Sequence, residues 1–452
     1  MESTNLTQEK SQESVLAPVS QIDRIQTIDI LRGIALLGIL MMNIPIFSMP
    51  QRFSEAFRSD PGNINFWVSA VITVFFEGKM RALFSMIFGA GILLFTTKKE
   101  AAGKSTALLF YRRMGWLVVF GLIDAHILLW EGDILYSYGV IGMIAFLFRK
   151  MKPQYLALGI PIVAIIDFVA GTIFYQDIRQ KRLDYLKVKT EITASRPETP
   201  AQKKIIADWR EIEKEFVPNK QDVAEKTKKM KSDYSTVAAK IRKSSWDYQT
   251  KYLLLSIADP LALMLLGMAV FKSGFFSNKW SKRQYKLTAL IGYGLGLPLV
   301  LYSFYYGFIN YPTLEASFVH LEKHPIVWVN LIYPFQRILL VMAHASLVIL
   351  IIQSGAIQSF FRRLAAVGQM ALTNYVMHTM ICTLFFFGYG LNYYAEFEYY
   401  QIFYLVFTIW ILQLIVSPIW LRYFYFGPLE WAWRSLTYWK IQPMRKHQLP
   451  PA

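Results

Sequence analysis

Asp29, Arg32 and Asn43 stand in one apolar run, "TIDILRGIALLGILMMN", at residues 27–43. On a helix, Asp29 and Arg32 are three apart and pair on one face. Asn43 lies eleven residues beyond Arg32, nearly three turns, and faces the same way. An amide so placed either donates to an oxygen on which charge develops or ties two helices together. His126, in "GLIDAHILLWEGD", precedes Asp133 across a short turn. An imidazole beside a carboxylate is an acid–base pair, the alternative being an interhelical His and a helix-capping Asp. Asp124, two residues from His126, points to another side of that helix. Arg337 and His344 are seven apart, and Asn374 and His378 are four apart, so each pair shares a helix face. Glu77 and Arg81, also four apart, can neutralise one another on either side of Lys79.

The elements that hold these residues are membrane helices. The 452 residues are 54% hydrophobic and 16% aromatic, and several apolar runs reach the roughly 18 residues that mark a span. The fold expected is an all-α polytopic bundle. About ten spans lie near 28–49, 66–95, 109–130, 133–149, 154–175, 251–272, 287–308, 327–352, 365–388 and 399–421. The second is too long for one plain helix, and "EGK" at 77–79 marks a break. Ionisable groups inside such spans cost about 2.5–3.5 kcal/mol each on insertion scales and must face protein or water. Four polar stripes on different helices therefore imply one shared, hydrated or substrate-lined cavity. Gly33 and Gly38 let neighbouring helices approach the first span closely. Trp130, Trp328, Trp420 and "EWAWRSLTYW" at 430–439 suit membrane interfaces.

The formal charge is +17, from 48 Lys plus Arg against 31 Asp plus Glu. The basic residues flank spans rather than form a nucleic-acid module, so nucleic acid is not an expected partner and the bilayer is. Basic connections alternate with neutral or acidic ones, "WEGD" at 130–133 and "AEFEYY" at 395–400 among them, which places both termini in the cytoplasm. The expected organisation is a polar tail at 1–23, a transmembrane half at 24–175, an extracytoplasmic helical insertion at 176–250, a second transmembrane half at 251–438 and a cytoplasmic tail at 439–452. The insertion is either a solvated helical layer or a lid. The single Cys382 excludes an intrachain disulfide and any multi-cysteine metal site, and no zinc motif, P-loop or dinucleotide fingerprint occurs. No metal is expected.

"RIQTIDILRGIALLGILMMN", "EGKMRALFSMIFGAG", "YRRMGWLVVFGLIDAHILLWEGDILYSYGVIG", "GQMALTNYVMH" and "FGPLEWAWRSLTYW" resemble the YeiB family, the domain of unknown function numbered 418. The resemblance spans most of the chain outside the tail and the insertion, and a transport role has been suggested for that family. The start is also similar to a broader superfamily of transmembrane acyltransferases that includes heparan-alpha-glucosaminide N-acetyltransferase. Its pattern falls on Arg24, Asp29, Arg32, Gly33 and Asn43, which implies that Asn43 is a catalytic amide. The departure is that "IPIFSMPQRFSEAFRSD", after Asn43, lacks the loop His of that superfamily.

The reading that joins these signals is a bacterial inner-membrane acyltransferase with no permanently bound cofactor. Acyl-CoA, acetyl-CoA for instance, would enter from the cytoplasm with its phosphates on Arg32, Arg112 and Arg113. An envelope glycan or other hydroxyl or amine acceptor would come from outside. His126 or His378 would take its proton, and Asn43 would hold the thioester oxygen. Asp133 belongs with the catalytic set, Arg337, His344 and Asn374 with substrate binding, and Asp29, Glu77 and Arg81 with structural polar groups. A small-solute transporter and a non-catalytic scaffold are the alternatives. The sequence leaves the oligomeric state open.

Overall fold

The computed structural model describes residues 25–50, 60–101, 105–192, 198–216 and 220–446. The tail at 1–23, Arg24, most of the loop after Asn43 and residues 447–452 lie outside the described residues. The described chain is all helix, with no strand and a single bridge between Phe424 and Arg445.

The first half comprises α1 (Gln26–Ser48), α2 (Ile64–Phe75), α3 (Lys79–Ala101), α4 (Ala107–His126), α5 (Leu135–Leu147), α6 (Pro153–Ala157) and α7 (Gly159–Ile192). The insertion contains α8 (Pro200–Phe216), α9 (Lys220–Met230) and α10 (Tyr234–Asp247). A π-helical turn over Tyr248–Tyr252 and the short α11 (Leu253–Ser256) then lead into α12 (Ala258–Lys272). The remainder is α13 (Lys282–Asn310), α14 (Leu314–Lys323), α15 (Val329–Ser354), α16 (Gln358–Gln369), α17 (Ala371–Phe386), α18 (Ile402–Tyr423) and α19 (Pro428–Tyr438). The apolar stretches expected to span are largely helical, but the one at 109–130 ends as helix at His126, the one at 251–272 begins in a π-helical turn and the one at 365–388 is broken at Met370. Among the described residues, six helical segments are long and apolar enough to cross a membrane by length and composition: α1, α2 with α3, α6 with α7, α13, α15 and α18. The shorter α5 and α17 are apolar too.

Small residues bring the central helices together. A Cβ on Gly33 would strike the carbonyl of Leu364, and one on Gly368 the carbonyl of Asp29, so α1 and α16 touch backbone to backbone. Gly89 and Gly267 do the same for α3 and α12. Lipid tails are as apolar as Leu, so close packing rather than hydrophobic burial holds such helices together. Gly38 sits against the Met80 side chain, as its position suggested. Around this centre α7, α13 and α18 turn apolar side chains outward, among them Ile165, Leu290 and Ile411, where a bilayer would meet them.

The expected break is at Gly78, whose φ is +71°, a conformation open to glycine. The break also corrects one expectation. Because Glu77 lies outside α3, the four-residue spacing to Arg81 is not helical, and Arg81 pairs instead with Asp259 at 3.1 Å. Trp130 is likewise not interfacial. The α4–α5 turn folds into the bundle through Leu129, at φ +64°, and buries Trp130 in a stack on Phe47 with centroids 3.9 Å apart. Trp328, by contrast, is exposed.

The 34 residues of α7 make a rod of about 50 Å, longer than the roughly 30 Å hydrocarbon layer. Its far half carries a packed layer. Trp209 of α8 is fully buried between Tyr185 and Phe318, with the Arg182 guanidinium 4.9 Å from its ring and paired to Glu322 at 2.8 Å. The α9–α10 corner docks on the loop after α17 through Gly388 N–H to the Met230 carbonyl, 2.9 Å, and through Lys231 with Glu396. The 176–250 segment thus packs on one end of the bundle, the insertion face. The opposite face bears the basic connections.

Candidate functional site

A cavity of about 240 Å³ lies among α1, α3, α4, α5, α17 and α19. Its walls are apolar, with Ile28, Phe84, Phe88, Ile92, Met114 and Leu117 among them. Its polar groups gather at two levels. Toward the basic face are Asp29, Arg32, Arg113, Glu430, Arg434 and Tyr438; at the inner end are Tyr138 and Tyr375.

The sequence accounts for this lining. Asp29 and Arg32 form the expected i,i+3 ion pair at 2.9 Å. Arg113, in the second turn of α4, projects between aromatic rings, 3.8 Å from the Trp433 centroid and 5.4 Å from that of Phe95. Trp433 is held in place by its own indole, which donates to the Arg113 carbonyl at 2.8 Å. Among the described residues the Arg113 guanidinium has ring faces for neighbours but no carboxylate and no hydrogen-bond acceptor. Glu430 is different. Its carboxylate accepts from the backbone N–H groups of Leu372 and Thr373, at 2.6 and 3.0 Å, and from the Thr373 hydroxyl at 2.6 Å. It satisfies the orphan donors at the start of α17, where negative charge is favoured. Burial nevertheless pushes the Glu430 carboxyl above its usual range, against the pull of those donors.

At the inner end the Tyr375 hydroxyl accepts from the Trp130 indole at 3.0 Å and from the Ile134 N–H at 3.1 Å. The Tyr138 hydroxyl lies 2.6 Å from that of Ser85. Trp130, bonded to Tyr375, and Leu129 are themselves buried.

The other expected site residues do not converge here, so the single shared cavity gives way to several separate networks. His126 is bonded to Gln249 of the π-helical turn at 2.9 Å, not to Asp133. Asp133 caps α5, accepting from Leu135 and Tyr136 N–H at 3.0 and 2.9 Å, and meets Asp124 carboxyl to carboxyl. Asp124 also accepts from the Thr379 hydroxyl at 3.2 Å. Buried His378 is bonded to Gln413 at 3.0 Å, and Asn374 donates to Ser417 and to the Val367 carbonyl, both at 3.1 Å, so the shared face of these two residues stitches α17 to α18. Arg337 pairs with Asp259, and His344 is bonded to Tyr293 at 2.9 Å. Arg112 turns toward Trp439, 5.8 Å from its ring, and does not line the cavity. Asn43 is half-buried, outside the cavity, and its amide has no hydrogen bond among the described residues.

The chain matches the family model described as "Protein of unknown function (DUF418)" over residues 270–440. It is 28% identical to the uncharacterized protein YxaH of Bacillus subtilis, covering 96% of this chain and 99% of that protein. It is also 28% identical to the uncharacterized protein YeiB of Escherichia coli, covering 92% and 97%. Over most of its length the chain is similar to members of the YeiB/DUF418 family. An uncharacterized 39.9 kDa protein of Bacillus acidopullulyticus is 25% identical over 93% of the chain. No solved structure matches it. The apolar helices and the bacterial relatives together point to a membrane protein. The family model covers α17 and α19, but α1, α3, α4 and α5, which supply the other cavity walls, precede it.

Sequence reasoning passed over Glu430, Arg434, Tyr138, Tyr375 and Asp259. Glu430 and Arg434 are the charged members of "EWAWRSLTYW", whose tryptophans drew attention to an interface. Asp259, in "SIADPLALM", opens an apolar run and was the available signal for a partner to Arg337 and Arg81.

Proposed function

We propose that this chain is an inner-membrane acyltransferase-like protein of ten crossings, with the basic face and both termini in the cytoplasm, and that its cavity takes the acyl donor. The observation that carries this reading is Arg113, a guanidinium in an apolar cavity with no anion beside it among the described residues. A charge in such surroundings is costly unless paired, so a bound anion is the natural complement. The donor suited to this lining is amphiphilic. A phosphate-bearing head would rest on Arg113 and Arg32, and an acyl thioester arm would lie along Phe84, Phe88 and Ile92 toward Tyr138. Acyl-CoA has that chemistry, and resemblance to the transmembrane acyltransferases supports the same choice. The acceptor, an envelope hydroxyl or amine, would arrive from the insertion face.

Of the four catalytic candidates, Asn43 alone makes no hydrogen bond among the described residues, which is what a donor to a developing oxyanion requires, whereas Asp133 caps α5. His126 and His378 would have to leave Gln249 and Gln413 to act as bases. Titration of purified protein with acetyl-CoA, followed by comparison of acylated envelope components with and without the chain, tests the reading. Saturable binding together with one acylated component missing in the deletion is expected; absence of binding sinks it.

A carrier is the second reading. It is favoured by the cavity's mixed lining, in which Asp29, Arg32, Arg113, Glu430, Tyr138 and Tyr375 offer a solute polar contacts among apolar walls. Flux of a solute in liposomes without any acylated product would select it.

A further inference from the structure

The hydroxyl of Tyr375, at the inner end of the cavity, holds a hydrogen that the protein does not use. Tyr375 is buried, at 3% exposure, and lines the cavity together with Ile134, Leu135 and Tyr138. Its oxygen lies 3.0 Å from the Trp130 indole nitrogen and 3.1 Å from the Ile134 backbone nitrogen. An indole N–H and a peptide N–H can only donate, so the Tyr375 oxygen accepts both bonds and its lone pairs are taken. Only its own hydrogen is left, and among the described residues nothing accepts it. Tyr138 is the contrast. Ser85 spends its hydrogen on the Arg81 carbonyl at 2.9 Å, so the 2.6 Å contact between Ser85 and Tyr138 carries the Tyr138 hydrogen.

A buried donor without an acceptor costs free energy, and such groups in a folded protein call for a partner. Two donors occupy the protein side of the Tyr375 hydroxyl, and the ring borders the cavity. Accepting two hydrogen bonds also polarises the O–H and makes it a stronger donor. The group is held rigidly. The carbonyl of Asn374, its neighbour in the chain, accepts from Gln413 at 3.0 Å. Thr379, one turn on, donates to Asp124 at 3.2 Å, and Trp130 is stacked on Phe47 at 3.9 Å. A fixed donor at the inner end of an apolar cavity seats one acceptor oxygen.

We propose that the Tyr375 hydroxyl donates to the thioester carbonyl oxygen of the bound acyl donor and so sets how far the acyl arm enters. The proposal rests on the acyl-donor reading and deepens it. With the anionic head on Arg113 and Arg32 and the arm along Phe84, Phe88 and Ile92, the carbonyl is the acceptor that the reacting end of the arm carries to Tyr375. This contact forms when the donor binds, before any acceptor molecule arrives. Asn43, outside the cavity, has no part in it and is kept for charge that develops later.

The test compares acetyl-CoA with S-ethyl-coenzyme A, in which a methylene replaces the thioester carbonyl, by calorimetric titration of the full chain in detergent. Wild type should bind acetyl-CoA about threefold to tenfold more tightly, the range of one neutral hydrogen bond. In Tyr375→Phe the ratio of the two affinities should fall to about one. A purely structural role for the hydroxyl would move both affinities alike and leave the ratio intact. Because Tyr375→Phe also deprives the Trp130 indole of its acceptor, infrared spectroscopy of carbonyl-labelled acetyl-CoA bound to wild type supplies a check that needs no variant. Its carbonyl stretch should lie below the frequency that the same thioester shows in hydrocarbon solvent. Equal affinities in wild type, a ratio that survives in Tyr375→Phe, or a hydrocarbon-like stretch overturns the proposal and leaves the acyl-donor reading standing. Failure of wild type to bind either ligand overturns both.

Discussion

Replacing Arg113 by Met separates a ligand-binding guanidinium from a packing one. The native side chain contributes a cation–π contact with Trp433 at 3.8 Å, worth about 0.5–2 kcal/mol. Against this stands the penalty of keeping a charge in an apolar cavity without an anion, which Met removes while filling most of the same volume. The two terms oppose, so the unliganded variant should differ in unfolding free energy by no more than about 1–2 kcal/mol, of either sign. Binding has no such cancellation. A charge-assisted contact to phosphate contributes about 1.5–3 kcal/mol, so affinity for coenzyme A should fall about 10- to 150-fold. Calorimetric titration of detergent-purified wild type and variant measures the second quantity, and thermal unfolding followed by Trp fluorescence the first. A variant that unfolds several degrees lower but binds coenzyme A like wild type refutes the argument, because Arg113 is then only a wedge between Phe95 and Trp433.

Asn43→Ala should leave stability within about 0.6 kcal/mol of wild type, since the amide has no hydrogen bond to lose among the described residues; acyl transfer should drop 100- to 1,000-fold, the cost of about 2.7–4 kcal/mol for a missing oxyanion donor, measured with radiolabelled acetyl-CoA. Gly368→Ala drives a methyl into the Asp29 carbonyl and should lower stability by about 3 kcal/mol, seen as a reduced monodisperse yield in size exclusion. Burial and the neighbouring His324, stacked at 4.0 Å, hold His320 below its ordinary 6.5. The folded state therefore binds the proton more weakly than the unfolded chain. The resulting stabilisation is complete above about pH 6.5 and is lost as pH falls below it, so His320→Gln should flatten the acid limb of a melting-temperature profile.

The helical frame was legible because hydropathy and charge alternation act over whole segments. Local spacing was legible only where the helix is unbroken. It predicted the Asp29–Arg32 pair and the shared face of Asn374 and His378, and failed for Glu77 and Arg81, which Gly78 separates. Long-range partners leave no spacing signal: Asp259 meets Arg337 and Arg81 across 78 and 178 residues. The cavity was half visible. Arg32 of α1 and Arg113 of α4 line it, whereas Arg112 does not, and Glu430 and Arg434 were hidden among tryptophans. Helix periodicity indicates which residues share a face but not which helix comes to face them, so the imidazoles expected around a common space are instead bonded to Gln249 and Gln413.

The wall that α19 gives the cavity has a consequence for biosynthesis. Chains leave the ribosome from the N-terminus, so α1, α3 and α4 enter the bilayer hundreds of residues before Pro428–Tyr438 exists. Throughout that interval Arg113 lacks Trp433, and the first N–H groups of α17, once made, lack Glu430. The nascent bundle must wait with its cavity open along one side. Only synthesis of Pro428–Tyr438 closes it, so a stop between residues 424 and 427 yields an inserted protein that keeps the long apolar helices of the described residues but lacks the α19 wall of the pocket.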